Sequence, residues 1–301
     1  MATEQLRVRE PAGRERSGRT GVRVFGYALP PSLWLFVLFG GPLALLLWMS
    51  FQHRSITGTT GFTFDNYTSI LTDPVYLKVV WNTILICTVS MTVMLVVAMP
   101  IAYLLAFRVR PRYELLLLLM FVLAGELNPL IRVYAWRIVL GREGVINYLL
   151  QAVGAIDAPI DALLFSRLAV IIVLSTTYIP YTTIPIYAAL KAVEPDLLEA
   201  ADDLGAKFMT RFRKILLPLA APGIFVAIII VYIPMFSEFA TPALVGGTGG
   251  YMMGNAIQEQ VLEAGDWGVG SAMSFLLLVL SAAVAFGGYR AARIRRLEAG
   301  A

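Results

Sequence analysis

The sequence predicts an all-α integral membrane protein, and three observations carry that prediction. Of 301 residues, 58% are hydrophobic and only 15% charged, too little polar surface to clothe a soluble globule of this size. Six apolar runs of about 20 residues are each long enough, as helices, to cross about 30 Å of hydrocarbon. They lack the strict alternation of barrel strands, and in hydrocarbon a helix satisfies its backbone within its own segment.

Taken in order, the runs lie near residues 30–51, 79–107, 115–137, 168–190, 217–240 and 268–289. Residues 1–27 precede them as a tail rich in Arg, Gly and Glu, expected to be disordered or to lie against anionic headgroups. The first run exceeds the length of a secretion signal and has no Ala-x-Ala-like cleavage site at its end, so it reads as a retained span. Basic residues near span ends stay on the cytoplasmic side, and most of the 24 Lys and Arg residues share one face. They include Arg7 to Arg23 in the amino tail, Arg108, Arg110 and Arg112 in the second connection, Lys191, Lys207, Arg211, Arg213 and Lys214 in the fourth, and Arg290 to Arg296 in the carboxyl tail. The connection 241–267 has no basic residue and carries Glu259, Glu263 and Asp266. Both termini are therefore expected in the cytoplasm, with the six-helix membrane domain over 28–290 and a short tail over 291–301.

Enzyme chemistry finds no constellation here. There is no phosphate loop of the Gly-x-x-x-x-Gly-Lys-Ser/Thr type, and the cluster Gly246, Gly247, Gly249, Gly250 has neither that lysine nor the cytoplasmic side. His53, the sole histidine, has no Cys or His cluster around it, so it reads as an interfacial residue rather than a metal ligand. The lone Cys87 sits in the second span and rules out an intrachain disulfide. Gly-x-Ser-x-Gly is absent as well. No catalytic residue, metal site, chain-bound cofactor or nucleic-acid partner is expected; the lipid bilayer is. Energy for any work must come from a partner or a gradient.

Residues 191–217 form a charged amphipathic island within this apolar chain. Glu194 and Pro195 suit a helix start, with Asp196 and Glu199 at the positive end of the dipole. Leu197, Ala201 and Leu204 fall on one stripe, and Gly205 supplies a left-handed residue to end the helix. After a turn, Phe208, Phe212, Ile215 and Leu216 repeat the stripe until Pro218 interrupts it. The pattern predicts a helix-turn-helix of two arms, each too short to span, lying on the membrane or packed against another protein. A solvated connector fits the same physical pattern.

The spacing within the island is more specific. Glu199-Ala200-Ala201, three residues, Gly205, nine residues, Ile215, one residue and Leu217-Pro218 match the Glu-Ala-Ala signature, and the chain resembles the permeases of ABC importers. The resemblance implies a type I importer fold in which this loop seats in a socket on a separate ATPase. Glu199 would make the polar contact there, and Ala200, Ala201 and Gly205 would allow close approach. It also implies the partners: an ATPase dimer holding ATP and Mg, a second homologous permease, and an external solute-binding protein at a bacterial inner membrane. Further segments are similar to the spermidine and putrescine permeases. They are Phe62-Thr63-Phe64-Asp65-Asn66-Tyr67, Asp73-Pro74-Val75-Tyr76-Leu77 with Asn82-Thr83, and Ile131-Arg132-Val133-Tyr134-Ala135-Trp136 with Gly141 to Asn147. Toward the carboxyl end the likeness continues through Thr241-Pro242, Gly246-Gly247, Met253-Gly254-Asn255, Ile257-Gln258 and Asp266-Trp267. The chain departs from them at Gly125-Glu126-Leu127-Asn128-Pro129, where relatives carry an aromatic-centred stretch.

Carboxylates within spans are costly and usually face a polar cavity, so Glu126 and Glu238 are the candidates for a translocation path. Tyr134, Trp136, Tyr178, Tyr181, Tyr232 and Phe236 offer aromatic faces to a cation, each contact worth roughly 0.5–2 kcal/mol. A cationic cargo such as a polyamine fits; an amino acid, a phosphonate or iron stays open, as does a gradient-driven carrier, although no internal repeat is visible. Two competing accounts stand beside it: the aromatics as interfacial anchors, and Glu126 paired with Arg132 or with another helix. Pro100, Pro129, Pro180, Pro185, Pro222 and Pro234 each remove a donor within a span and are expected to permit kinks.

Overall fold

The computed structural model describes residues 30–52 and 61–299. The expectations for the tail 1–27 and for His53 lie outside the described residues. The chain divides into two bodies, residues 1–49 and residues 50–301. The first contributes α1, Pro30–Ser50, an apolar helix with a widened turn at Phe36–Gly40.

Among the described residues, the regular structure of the second body is helical apart from one isolated antiparallel bridge between Gln52 and Phe62. A short helix α2, Asp65–Thr72, leads into the long α3, Pro74–Phe107, whose N-cap Asp73 accepts from the Val75 N–H at 2.8 Å with Pro74 at the first helical position. Next come α4, Pro111–Gly125, α5, Pro129–Leu140, and α6, Val145–Ala152. Then α7, Arg167–Lys191, the short α8, Pro195–Asp203, and α9, Phe208–Phe236, follow. The chain closes with α10, Met253–Gln258, and α11, Trp267–Ala299, the latter helical beyond the expected end of the span. By length and composition five helices can cross a membrane, α1, α3, α7, α9 and the first part of α11, and the bent pair α4 with α5–α6 makes a sixth.

Helices α3, α7 and α9 form the centre. Ile86, Met91 and Met94 of α3 pack with Val170, Val173 and Leu174 of α7 and with Val231, Met235 and Phe236 of α9. A second cluster nearer α8 uses smaller side chains: Ala98, Ala102 and Ala106 against Ile186, Leu190, Leu216, Ala220 and Ala227. Small residues suit a bilayer, where helices gain by close approach rather than by escaping water. Gly223 shows how close that is, since a Cβ there would stand 2.4 Å from the Pro185 carbonyl oxygen and 2.6 Å from the Ala189 Cβ. Pro100, Pro180, Pro185, Pro222 and Pro234 lie inside continuous helices.

Two sequence expectations need correction. The third apolar run is not one helix: it breaks between Gly125 and Pro129, and the two pieces are bent by 86°. Pro129 accordingly starts a helix instead of kinking one, with Asn128 as its N-cap accepting from the Leu130 N–H at 2.9 Å. An Asn-Pro pair is a better helix start than a helix interior. Secondly, the island's second arm is not separate. It runs from Phe208 straight into the fifth span through a π-turn at Phe212–Leu216, and Pro218 lies within that continuous helix. A π-turn loosens the i to i−4 ladder ahead of a proline whose ring would collide with it.

The connection between α9 and α11 folds back on the centre. Asn82 donates to the Gly249 and Tyr251 carbonyls at 3.0 and 2.7 Å, and Thr83 accepts from the Met253 N–H at 2.8 Å. Gly246 and Gly250 pack their backbone against Val170, and Gly247, at φ +54°, sits against the Phe165 carbonyl.

Candidate functional site

The island's first arm is α8. Glu194 is its N-cap residue, Pro195 opens it and Asp196 lies in its first turn. It ends in a Schellman turn: the Gly205 N–H donates to Asp202 O at 2.8 Å and the Ala206 N–H to Ala201 O at 3.0 Å, with Gly205 at φ +73°. Across that turn Arg211 pairs with Asp202. Phe208 meets the Tyr103 ring edge-on at 5.7 Å and stacks toward Phe212 at 6.1 Å.

Within the signature, Glu199, Ala200, Gly205 and Pro218 are exposed, Ile215 and Leu217 are half-buried, and Ala201 is buried. The expected inward stripe is rotated. Leu198, rather than Leu197, packs against the alanine-rich cluster, while Leu197 and Leu204 face outward, Leu204 being 88% exposed. Leu204 is the C-cap residue, past the last regular turn, so helical periodicity no longer governs its direction. The structure thus leaves α8 with a carboxylate, an alanine and a bare leucine on its outer face.

The second group of candidates gathers at the break in the third span. Glu126 is the C-cap residue of α4 and is exposed. Arg132 does not pair with it. Its guanidinium instead lies 2.8, 3.0 and 3.2 Å from the carbonyl oxygens of Ala124, Gly125 and Leu127, and 3.4 Å from Thr177 O on α7. These are the carbonyls that a broken helix orphans, and a cation there also suits the negative end of the dipole. Tyr181 donates to Gly125 O at 3.0 Å, with its ring so close that a Cβ on Gly125 would stand 3.1 Å away.

Trp136, Tyr178, Tyr181, Tyr232 and Phe236 all belong to the central cluster behind this break. Tyr178 and Tyr181 have ring centroids 6.2 Å apart, and Tyr232 meets Phe236 edge-on at 4.9 Å while its hydroxyl shares a 2.7 Å hydrogen bond with Thr88. Phe236 is 1% exposed and Tyr134 52%. Glu238 is half-buried; its carboxylate accepts from the Thr241 N–H and hydroxyl at 3.0 and 3.2 Å. The carbonyl-binding role of Arg132 was missed from sequence; an arginine at the margin of an apolar run, seven residues after a Gly, was its only signal.

The family model of binding-protein-dependent transport system inner membrane components matches residues 83–295. The spermidine/putrescine transport system permease protein PotB of Haemophilus influenzae is 35% identical over 88% of this chain and 93% of its own length. PotB of Escherichia coli K12 is 34% identical, over 87% and 94%. Among solved structures, a chain of a bacterial ABC transporter importing the acidic polysaccharide alginate has a TM-score of 0.74 at 18% identity, covering 91% of this chain and 96% of that one. A chain of the inward-facing MetNI methionine ABC transporter has a TM-score of 0.55 at 21% identity, covering 73% and 95%.

Proposed function

This chain belongs to the family of binding-protein-dependent transport system inner membrane components, and we propose that it carries a polyamine or similar small cation across the inner membrane. It is a permease subunit of an ABC importer, a transport component rather than an enzyme. In the proposed assembly it pairs with a second homologous permease, receives cargo from an external binding protein, and keeps both termini in the cytoplasm. ATP and Mg reside on an ATPase dimer beneath it. Docking of that dimer falls to α8, with Glu199 for the polar contact, Ala200, Ala201 and Gly205 for close approach, and Ile215, Leu217 and Pro218 joining the arm to its span.

The observation that carries the cargo assignment is the broken third span. Fifteen residues of α4 rise about 22 Å, short of the roughly 30 Å of hydrocarbon, so the break lies at membrane depth. Non-helical backbone is tolerated there only where protein buries it or water fills a cavity beside it. Arg132 is occupied by carbonyls, and the exposed Glu126 carboxylate is left for a cation. Glu238 and the faces of Tyr134, Trp136, Tyr178, Tyr181, Tyr232 and Phe236 complete the proposed path. Likeness to PotB supports a polyamine; the alginate transporter, with the same fold and an acidic cargo, shows why the fold alone does not choose.

Uptake into vesicles carrying the whole transporter, with saturating spermidine-loaded binding protein, tests this. Glu126→Gln removes a charge-assisted contact worth about 1.5–3 kcal/mol, so the maximal rate should fall at least about tenfold. An unaltered rate removes Glu126 from the path. Equal uptake of an uncharged cargo of similar length removes the cationic assignment.

A further inference from the structure

Glu114 stands in the first turn of α4, outside the docking signature in sequence, with its side chain 14% exposed. It accepts from the Tyr187 hydroxyl, and Lys191 Nζ lies 2.9 Å from its Oε1 and 3.0 Å from its Oε2. Tyr187 and Lys191 are one helical turn apart in the last stretch of α7, and Lys191 is its final residue. Four residues later α8 begins, with Val193 buried between them. The other end of α8 is held by the Asp202–Arg211 pair. Charge-assisted bonds are roughly twice as strong as neutral ones, and Glu114 makes such contacts to Tyr187 and Lys191 together.

The far end of α4 is tied to α7 as well. Tyr181 holds Gly125 O, and Arg132 links the carbonyls at the break to Thr177 O. Helix α4 is therefore fastened to α7 at both ends, by Glu114 at the base and by the Gly125–Arg132 junction at the top. Twelve residues of helix, about 18 Å, separate Glu114 from Glu126.

We propose that Glu114 is a positioning residue for coupling: by holding Tyr187 and Lys191 at the root of the docking arm, it makes α4 a strut that carries motion of α8 to the break where Glu126 stands. The inference rests on α8 being the ATPase-docking arm and Glu126 lying on the path. A strut transmits because it has no slack; with the base bond cut, α8 and α7 move while α4 lags, and nucleotide is hydrolysed without cargo crossing.

The test uses the complete transporter in proteoliposomes with spermidine as cargo, measuring uptake and ATP hydrolysis together. Cys87 is buried, so Asp203→Cys, at an exposed position of α8 outside the signature, gives a selective cross-link to the ATPase that reports docking separately. Glu114→Gln and Lys191→Met should leave that cross-link intact while uptake per ATP falls several-fold, with a smaller fall for Tyr187→Phe. The exchange Glu114→Lys with Lys191→Glu should recover most of the loss, which a variant that merely disturbed folding would not do. An unchanged uptake-to-ATP ratio in both single variants, or an exchange no better than either, overturns the strut. Absence of the cross-link in the otherwise unaltered chain overturns the docking assignment and this inference with it.

Discussion

Replacement of Gly205 separates two reasons for a glycine at the end of α8, the proposed docking arm. Its φ of +73° lies in the left-handed region, and nothing stands within 4 Å of the position a Cβ would take. Within this chain, then, substitution incurs a conformational cost alone. For alanine that is about 1 kcal/mol, for valine more because of its branched Cβ, and for asparagine, which tolerates this region, only part of it. A 1 kcal/mol loss is about a fivefold shift in population. Hydrogen exchange of the Pro195–Asp203 amides in the detergent-solubilised chain should therefore quicken about fivefold in Gly205→Ala, more in Gly205→Val and least in Gly205→Asn. If exchange is as slow with valine as with glycine, the left-handed turn is not what holds α8. In the assembled transporter the order is informative again. If the ATPase needs the space above Gly205, asparagine should impair uptake more than alanine does, reversing the order seen by exchange.

Other perturbations follow from particular contacts. Gly223→Ala forces a Cβ onto the Pro185 carbonyl and Ala189 and should cost about 1–3 kcal/mol, lowering the thermal midpoint in detergent; an unchanged midpoint would mean that α7 and α9 part easily. Asn82→Ala removes both donors to the Gly249 and Tyr251 carbonyls and should speed proteolysis of the 247–252 segment while sparing α8. Arg132→Gln strips the break of its cation and should destabilise the fold by at least about 2 kcal/mol, read as a lower denaturation temperature. Glu238→Ala should weaken uptake of a cation more than it weakens the Asp203→Cys cross-link to the ATPase, and equal uptake kinetics would take Glu238 off the path. The Tyr251 phenol is pushed up by burial and then by Glu259, to which it donates. A proton held more tightly in the folded state stabilises fully below the free phenol value of about 10 and is lost as pH climbs above it. Alkaline loosening of this segment, followed by hydrogen exchange, should vanish in Tyr251→Phe.

How far the site was legible depends on the range of the interactions that make it. The start of α8 at Pro195 and its end at Gly205 are written locally, since a proline suits only the first turn and a glycine enters the left-handed region at least cost. Which leucine faces inward was not, because Leu197 and Leu198 are equally apolar and only the alanine-rich cluster chose between them. Asn128-Pro129 carried a helix-start signal inside an apolar run, and the run's length concealed it. The partner of Arg132 was beyond reach for another reason: a carboxylate six residues away and a group of orphaned carbonyls are both acceptors, and only the 86° bend decides which one the guanidinium meets.

Composition and the recurrence of long apolar runs were enough to determine a helical membrane protein, because hydrocarbon admits no backbone that does not satisfy itself. The fixed spacing from Glu199 to Pro218 was enough to indicate the importer permeases, since that signature is a matter of residue types in order. Tertiary structure alone decided where the third span breaks, that Glu126 has no ion-pair partner there among the described residues, and that Glu114 joins α4 to the root of the arm. Each depends on groups 45 to 77 positions apart or on a change of direction, and no local periodicity encodes a distance in space between helices.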